Sequence, residues 1–390
     1  MSRYLSFLLL ATALLGFGLY RYLVDPATPA AMTSVGSALG GGETEGYARA
    51  YAPRPFVFPD DHGPHPDFRT EWWYVTGNLA DSQGRRFGYQ LTLFRIAVSP
   101  ALPAADSAWR THQIYMGHFA VTDVAAERHH GFERFSRAAV GLAGAQASPF
   151  RVWLEDWSLT GTAQNAFPLR VQAREQGVAI ELTLETAKPP VLQGESGLSQ
   201  KSAEPGNASY YYSYTRLPTR GVVTVGAERF EVSGASWLDR EWSTRALGPE
   251  QSGWDWFALQ LDDGRELMLY RLRRKDGGVD PHSSGLLVSM DGAARRLRAE
   301  EVEFDILETW TSPHSGDGYP ARWRLRLPAE EMELTVTPWL ADQEMRVQVR
   351  YWEGAVAVAG RSGGERVSGQ GYLEMTRYDS RPSGSDSERR

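Results

Sequence analysis

VSGASWLDREW, Val232–Trp242, decides how the whole chain is read. Successive side chains of a strand point to opposite faces, so Trp237, Asp239 and Glu241 share one face and Leu238, Arg240 and Trp242 the other. One face therefore sets two carboxylates beside an indole. The stretch also has an echo. VSGQGYLEMTR, Val367–Arg377, repeats the pattern V-S-G-x-x-aromatic-Leu-acid, and the copies follow the β-rich, glycine-turned runs VVTVGAERFE and VAVAGRSGGE. The beginnings echo as well. WYVTGNLADSQGRRFGYQLTLFR from Trp73 and WFALQLDDGRELMLYRLR from Trp256 each open a strand with tryptophan, turn at Gly-Arg and return to an arginine. Two matches in the same order indicate a duplication. The expectation is two tandem β-barrel-like domains joined near residues 243–253, the first copy longer. In the second copy Tyr372 and Glu374 replace Trp237 and Asp239, and Thr376 replaces Glu241, so a two-carboxylate face is expected in the first domain only.

The chain has 390 residues, more than one ordinary core holds and enough for two domains of about 150 residues. With 22 prolines, 39 glycines and 13 tryptophans, it joins many turns to many large rings, as an all-β design with wide apolar interiors does. Alternating runs such as GVAIELTLET, RWRLRLP and MELTVTP, separated by turns such as LDDGR, MDGA and RSGGE, fit strands and tight connections. The net charge is −7 and no basic stripe is present, which argues against nucleic acid as a partner. The absence of cysteine excludes a disulfide framework, a thiolate metal site and a cysteine nucleophile.

Residues 1–24 read as a membrane anchor or signal segment: Arg3 precedes the uncharged apolar run YLSFLLLATALLGFGLY, which ends at Arg21. Either version exports the rest of the chain, which places it in the periplasm, anchored to the inner membrane or released after cleavage. Residues 25–50, rich in Pro, Ala, Ser and Gly, read as a flexible linker. The two domains are assigned to 51–243 and 244–379, and 380–390 to a disordered tail.

Three stretches hold candidate site residues. In FPDDHGPHPDFRTEWWYVTGNL, Phe58–Leu79, the residues Asp60, Asp61, His62 and His65 are metal-ligand types, but their spacing matches no recognised zinc pattern and suits turn hydrogen bonds at a barrel lip. Glu71, before Trp72 and Trp73, calls for an arginine partner if buried. In SYYYSYTRLPTRG, Ser209–Gly221, the residues Tyr210, Tyr212 and Tyr214 share a face that suits either a lipophilic pocket or plain aromatic core. Arg216 is a candidate partner for Glu71, Asp239 or Glu241. In the opening stretch, an acid held dry against an indole has its charged form disfavoured and can give up a proton near neutral pH. Protonating an alkene leaves a carbocation that the Trp237 face can stabilise, and water directed by Glu241 or a tyrosine can then add. That reaction calls for no metal or organic cofactor. The rival reading of the same residues is an Asp–Arg–Glu ion network closing the first barrel against the second.

Together DHGPHPDFRTEWWYVTGNL, YYYSYTRLPTRG, SGASWLDREWS and the closing YWEGAVAVAG and VSGQGYLEMTRY resemble the AttH-like/carotenoid 1,2-hydratase (CrtC, hydroxyneurosporene synthase) family, over about Tyr51–Asp379. The resemblance implies two lipocalin-like barrels and, for hydratase members, cofactor-free acid catalysis on polyene double bonds, with Asp239 at the position of their aspartate. Trp237 stands where those members have tyrosine, and tyrosines around Tyr210 and Tyr212 replace their upstream His-x-Trp pair. The pattern is closer to the AttH-like branch, whose members are associated with ABC-type export systems.

Two functions are expected. The leading one is a membrane-anchored periplasmic protein that binds a lipophilic small molecule and exchanges it with an ABC transporter permease, using Tyr210, Tyr212, Trp73, Glu71, Arg216 and His65. The alternative is a cofactor-free hydratase or isomerase with Asp239 as proton donor and Trp237, Glu241 and Tyr212 around the cation.

Overall fold

The computed structural model describes residues 44–376 and 378, apart from 105, 163–165 and 246. The expected N-terminal anchor, most of the linker and the tail lie outside the described residues. Among the described residues no helix is long and apolar enough to cross a membrane, and the helical content is three single turns of 3-10 helix. The strands are antiparallel and form a 13-stranded and a 10-stranded sheet.

The duplication is visible in the strand order. In the first sheet Thr70–Asp81 lies between Arg86–Ala97 and Glu228–Ser243, and the latter pairs with Ala208–Val225. In the second sheet Gln251–Leu261 lies between Glu266–Arg274 and Glu365–Met375, and the latter pairs with Tyr351–Ser362. The opening strand of each copy thus pairs with the next and with the last. The register also corrects the expected alignment by one residue. Tyr74 sits opposite Asp239, and Trp256 sits opposite Glu374, so the counterpart of Trp256 is Tyr74 and not Trp73.

Both sheets curl. The first nearly closes: Arg128–Arg137 comes round to Arg151–Leu154, and Arg134 ties that seam by hydrogen bonding Glu175 at 2.8 Å and pairing with Asp156. Its interior is filled by Trp73, Val75, Leu91, Phe119, Trp157, Leu238, Trp242 and their neighbours. The second sheet is a more open half-barrel over its own core of Phe257, Leu269, Trp323 and Leu373.

What joins the halves is a third apolar layer, formed where the outer faces of the two sheets meet. Tyr74, Tyr211 and Trp237 pack there against Trp256, Met268, Tyr270 and Tyr372. Gly88 permits the close approach, since a Cβ on it would lie 2.5 Å from the Cβ of Ala355. Two hydrogen bonds cross the seam reciprocally. Asn78 donates to the Gly371 carbonyl at 2.9 Å, and Gln260 donates to the Ser236 carbonyl at 3.0 Å. The repeat equates Asn78 with Gln260 and Ser236 with Gly371, so the halves meet about a pseudo-twofold axis, as the subunits of an isologous dimer do.

Candidate active site

Because Glu228–Ser243 alternates, Leu238, Arg240 and Trp242 enter the core of the first sheet while Trp237, Asp239 and Glu241 face the second. Asp239 is 3% exposed, but it lies between the sheets and not inside a barrel. There it helps line a cavity of about 90 Å³. Trp72, Tyr74 and Phe94 of the first half and Trp254, Trp256, Tyr270 and Tyr351 of the second wall it with rings. Its polar groups are Asp239, Glu241, Lys201 and the Tyr211 phenol from the first half and Glu374 from the second. A few converging polar groups in an aromatic chamber are the usual make-up of a small-molecule site.

Asp239 accepts three hydrogen bonds. Oδ1 receives the Trp237 indole N–H at 2.6 Å and the Ser213 hydroxyl at 2.5 Å, and Oδ2 receives the Tyr211 hydroxyl at 2.5 Å. Trp256 in turn donates to the Tyr211 oxygen at 3.2 Å. Burial pushes the Asp239 carboxyl up to about 7, against the pull of the bonds from Ser213, Tyr211 and Trp237 and with help from the Glu241 charge. Among the described residues no arginine pairs with it. Trp237 does not line the cavity; it stands behind Asp239 and packs edge-on against Trp256, at 6.2 Å between centroids.

Across the chamber Glu374 is also pushed up to about 7, by burial above all, with the Trp254 indole donating to it at 2.6 Å and the Asp239 charge raising it further. Directly opposite Glu374 in its sheet is Glu353, whose carboxyl accepts the Tyr74 hydroxyl at 2.7 Å and is held well above the ordinary range by burial and by Glu374. Side-by-side buried carboxyls do not both ionise readily, so the pair titrates as a unit. Glu241 sits apart from these. It accepts the Ser209 hydroxyl and faces the Lys201 ammonium at 3.0 Å. Burial works against that ammonium, yet Glu241 outweighs it and holds its pKa above the ordinary value.

The other expected site residues lie elsewhere. Trp73, Tyr210 and Tyr212 face the core of the first sheet. Glu71 is buried there between Arg95 and Arg240, and it accepts the His65 backbone N–H at 3.0 Å. Burial opposes its ionisation, but the two guanidiniums outweigh it and hold it well below the carboxylate range. The arginine expected in a network with Asp239 and Glu241 is thus spent on Glu71, because parity puts it on the opposite face. His65 stacks on Trp242 at 3.7 Å and contacts Asp61 at 3.0 Å, and His62 meets the Tyr212 hydroxyl at 2.6 Å. Arg216 lies in a β-bulge between Tyr214 and Leu217 that aims it at the second half, where it pairs with Glu266 at 2.5 Å beside Lys188. It therefore joins none of Glu71, Asp239 and Glu241.

The two-carboxylate face is not confined to the first half, since Glu353 and Glu374 confront it. The echo already equated Glu374 with Asp239, and the registers extend it, equating Tyr211 with Tyr351 and Ser213 with Glu353. Lys201 carried no comparable signal, because it lies in a loop outside the repeat.

The AttH-like family pattern matches residues 49–378. A crystal structure described as an AttH from Nitrosomonas europaea is 34% identical, superposes with a TM-score of 0.76, and covers 85% of this chain and 99% of its own. Kievitone hydratase from Nectria haematococca is 14% identical, with a TM-score of 0.65 over 85% of this chain and 96% of its own, a likeness of fold. No curated protein matches the chain by sequence.

Proposed function

The chain belongs to the AttH-like family, and from the chamber between its two sheets we propose that it is a cofactor-free hydratase of an isoprenoid or polyene double bond, with Asp239 as proton donor. The observation that carries the reading is a buried carboxyl, pushed up to about 7, aimed by three donors into an aromatic chamber. At neutral pH much of Asp239 holds its proton, and the three donors stabilise the carboxylate left behind. The Asp239 O–H bond breaks as a C–H bond forms on one alkene carbon. The carbocation on the neighbouring carbon lies among the π faces of Trp72, Trp254 and Trp256, which attract it as rings attract other cations. Water adds to that carbon, a C–O bond forms, and the water gives up a proton. The net change is alkene plus water to alcohol. The hydratase among the solved neighbours supports the reaction type only through shared fold.

The same apolar walls favour a second reading, a lipophile-binding protein without turnover. Inner-membrane anchoring, a periplasmic location and exchange with an ABC permease are proposals that rest on the leader and the resemblance. One experiment separates the two readings. The purified full chain is incubated with a panel of isoprenoid and polyene alkenes in ¹⁸O-labelled water. The hydratase reading expects a product that has gained one labelled water and is absent with Asp239→Asn. Retention of a lipophile without labelled product would leave the binding reading alone.

A further inference from the structure

Hydration needs an exit for the proton that the attacking water releases, and the second wall of the chamber holds one. The Tyr351 hydroxyl, on a strand of the second sheet, meets Nδ1 of His118 at 2.8 Å, and His118 is a fully buried residue of the first sheet. Nε2 of His118 meets the Glu133 carboxylate at 3.1 Å. Glu133 lies on the outermost strand of the first sheet, where it also accepts the backbone N–H of Val349 at 3.1 Å. Gln90 donates its amide N–H to the Tyr351 oxygen at 3.0 Å.

These contacts place the protons. Glu133, an acceptor when ionised, keeps the imidazole proton on Nε2, which leaves the Nδ1 lone pair facing Tyr351. Gln90 occupies one lone pair of the phenol oxygen, so the Tyr351 O–H points to Nδ1 and a second lone pair of this chamber-lining residue is left to accept a proton. The order carboxylate, imidazole, hydroxyl is that of a nucleophile or base activated by a positioned histidine. We infer that Tyr351, backed by His118 and Glu133, accepts the proton of the attacking water and conducts it from the chamber to the rim of the first sheet. This rests on the hydratase reading. As the water O–H bond breaks, its proton goes to the Tyr351 oxygen, the Tyr351 proton goes to Nδ1, and an imidazolium forms beside the Glu133 carboxylate. Its Nε2 proton then passes through Glu133 to solvent, Asp239 takes a proton back from solvent, and proton exchange at the ring returns His118 to the Nε2–H tautomer that Glu133 favours.

The phenol works as a relay and not as a standing phenolate, because burial, with the Glu353 and Glu374 carboxylates next, holds it well above its ordinary range. Tyr372 is the other titratable neighbour. Glu353 and Glu374 are not free to take this proton, since burial above all favours their protonated forms and neither contacts a group leading outward.

The test uses the full chain in two arms. In the first, ¹⁵N-histidine NMR is expected to show neutral His118 protonated on Nε2, with an Nδ1 shift that moves in Tyr351→Phe. A proton on Nδ1 would overturn the relay. In the second arm geraniol is the probe in labelled water. Tyr351→Phe and His118→Gln are each expected to lower kcat roughly a hundredfold at unchanged KM, with the double variant no slower than either alone. Additive losses, or an unchanged kcat, would overturn the relay while a dead Asp239→Asn upheld the hydratase reading. No labelled product from the native chain would count against the hydratase reading, and the proton position on His118 would then decide the relay by itself.

Discussion

Replacing Asp239 by asparagine separates an acid kept for chemistry from one kept for structure. The amide can satisfy the site. Its carbonyl accepts the Ser213 and Trp237 donors at the Oδ1 position, and its NH₂ meets the Tyr211 oxygen, whose own proton turns into the chamber. The folded variant therefore loses little hydrogen bonding, about 1 kcal/mol. Proton linkage weighs more. In the folded chain the carboxyl is raised from 3.8 to about 7, so the proton is bound more tightly folded than unfolded. Its stabilisation is complete below 3.8 and is lost as pH rises through about 7, a swing of about 4 kcal/mol. Between pH 5 and pH 8 the native chain should lose about 3 kcal/mol relative to Asp239→Asn, read from urea unfolding midpoints at both pH values. At pH 8 the variant should be the more stable of the two, and hydration should fall by at least a hundredfold while a fluorescent polyene still binds. Parallel pH curves, or a variant that fails to fold at pH 8, would refute the account of a dry, proton-holding acid.

Glu374→Gln should remove a similar slope of about 3 kcal/mol, because Glu374 too is raised, from 4.5 to about 7, and its contribution is lost as pH rises; urea titration of that variant reads it. Lys201→Met leaves Glu241 buried with only the Ser209 hydroxyl and should cost about 3 kcal/mol, most of it recovered in Lys201→Met/Glu241→Gln, a coupling that a double-mutant cycle measures. Glu71→Gln strands two buried guanidiniums and should cost about 3–5 kcal/mol in chemical denaturation, yet leave ligand affinity of the folded fraction unchanged, because Glu71 lies in the core of the first sheet and not at the chamber.

Strand alternation makes the split between Trp237, Asp239, Glu241 and Leu238, Arg240, Trp242 legible, but not which set faces inward. A single exposed face would settle that by its polarity. Here Thr70–Asp81 and the end of Glu228–Ser243 are buried on both faces, one by the first core and one by the second sheet, so the polar alternation that marks an outside is missing. Tyr210 and Tyr212 read as pocket walls for the same reason, while Tyr211, between them, is the residue that reaches Asp239. The partner of Arg216 is illegible because Glu266 belongs to the other half and only the bulge brings them together. The repeat does reveal Glu374 as the counterpart of Asp239. That the two share one chamber depends on how the halves dock, and a repeat in sequence leaves the docking face open.

That docking also explains how two acids with the same titration point can play unlike parts. A pseudo-twofold interface brings equivalent positions face to face, so an acid at one position meets its copy across the chamber. The copies then diverged in what surrounds them. The position beside Asp239 is Ser213, a donor, and the equivalent position beside Glu374 is Glu353, another acid. When Asp239 gives up its proton, the carboxylate left behind is held by an indole, a serine and a tyrosine. When Glu374 gives one up, the new charge lies next to Glu353 and faces Asp239. Burial raises both, with help from Glu241 at Asp239 and from Asp239 and Glu241 at Glu374; Asp239 is opposed by three neutral donors and Glu374 by the Trp254 indole and by the bond from Glu353, so the first is built to cycle alone and the second works as half of a carboxyl pair. Changing the neighbours tests this: Ser213→Glu should silence Asp239 by raising it further, and Glu353→Ala, which removes the hydrogen bond by which Glu353 lowers Glu374, should raise Glu374 further. Carboxyl infrared titration of the two variants checks both shifts, and an unmoved or lowered Glu374 in Glu353→Ala would show that Glu353 does not hold it down.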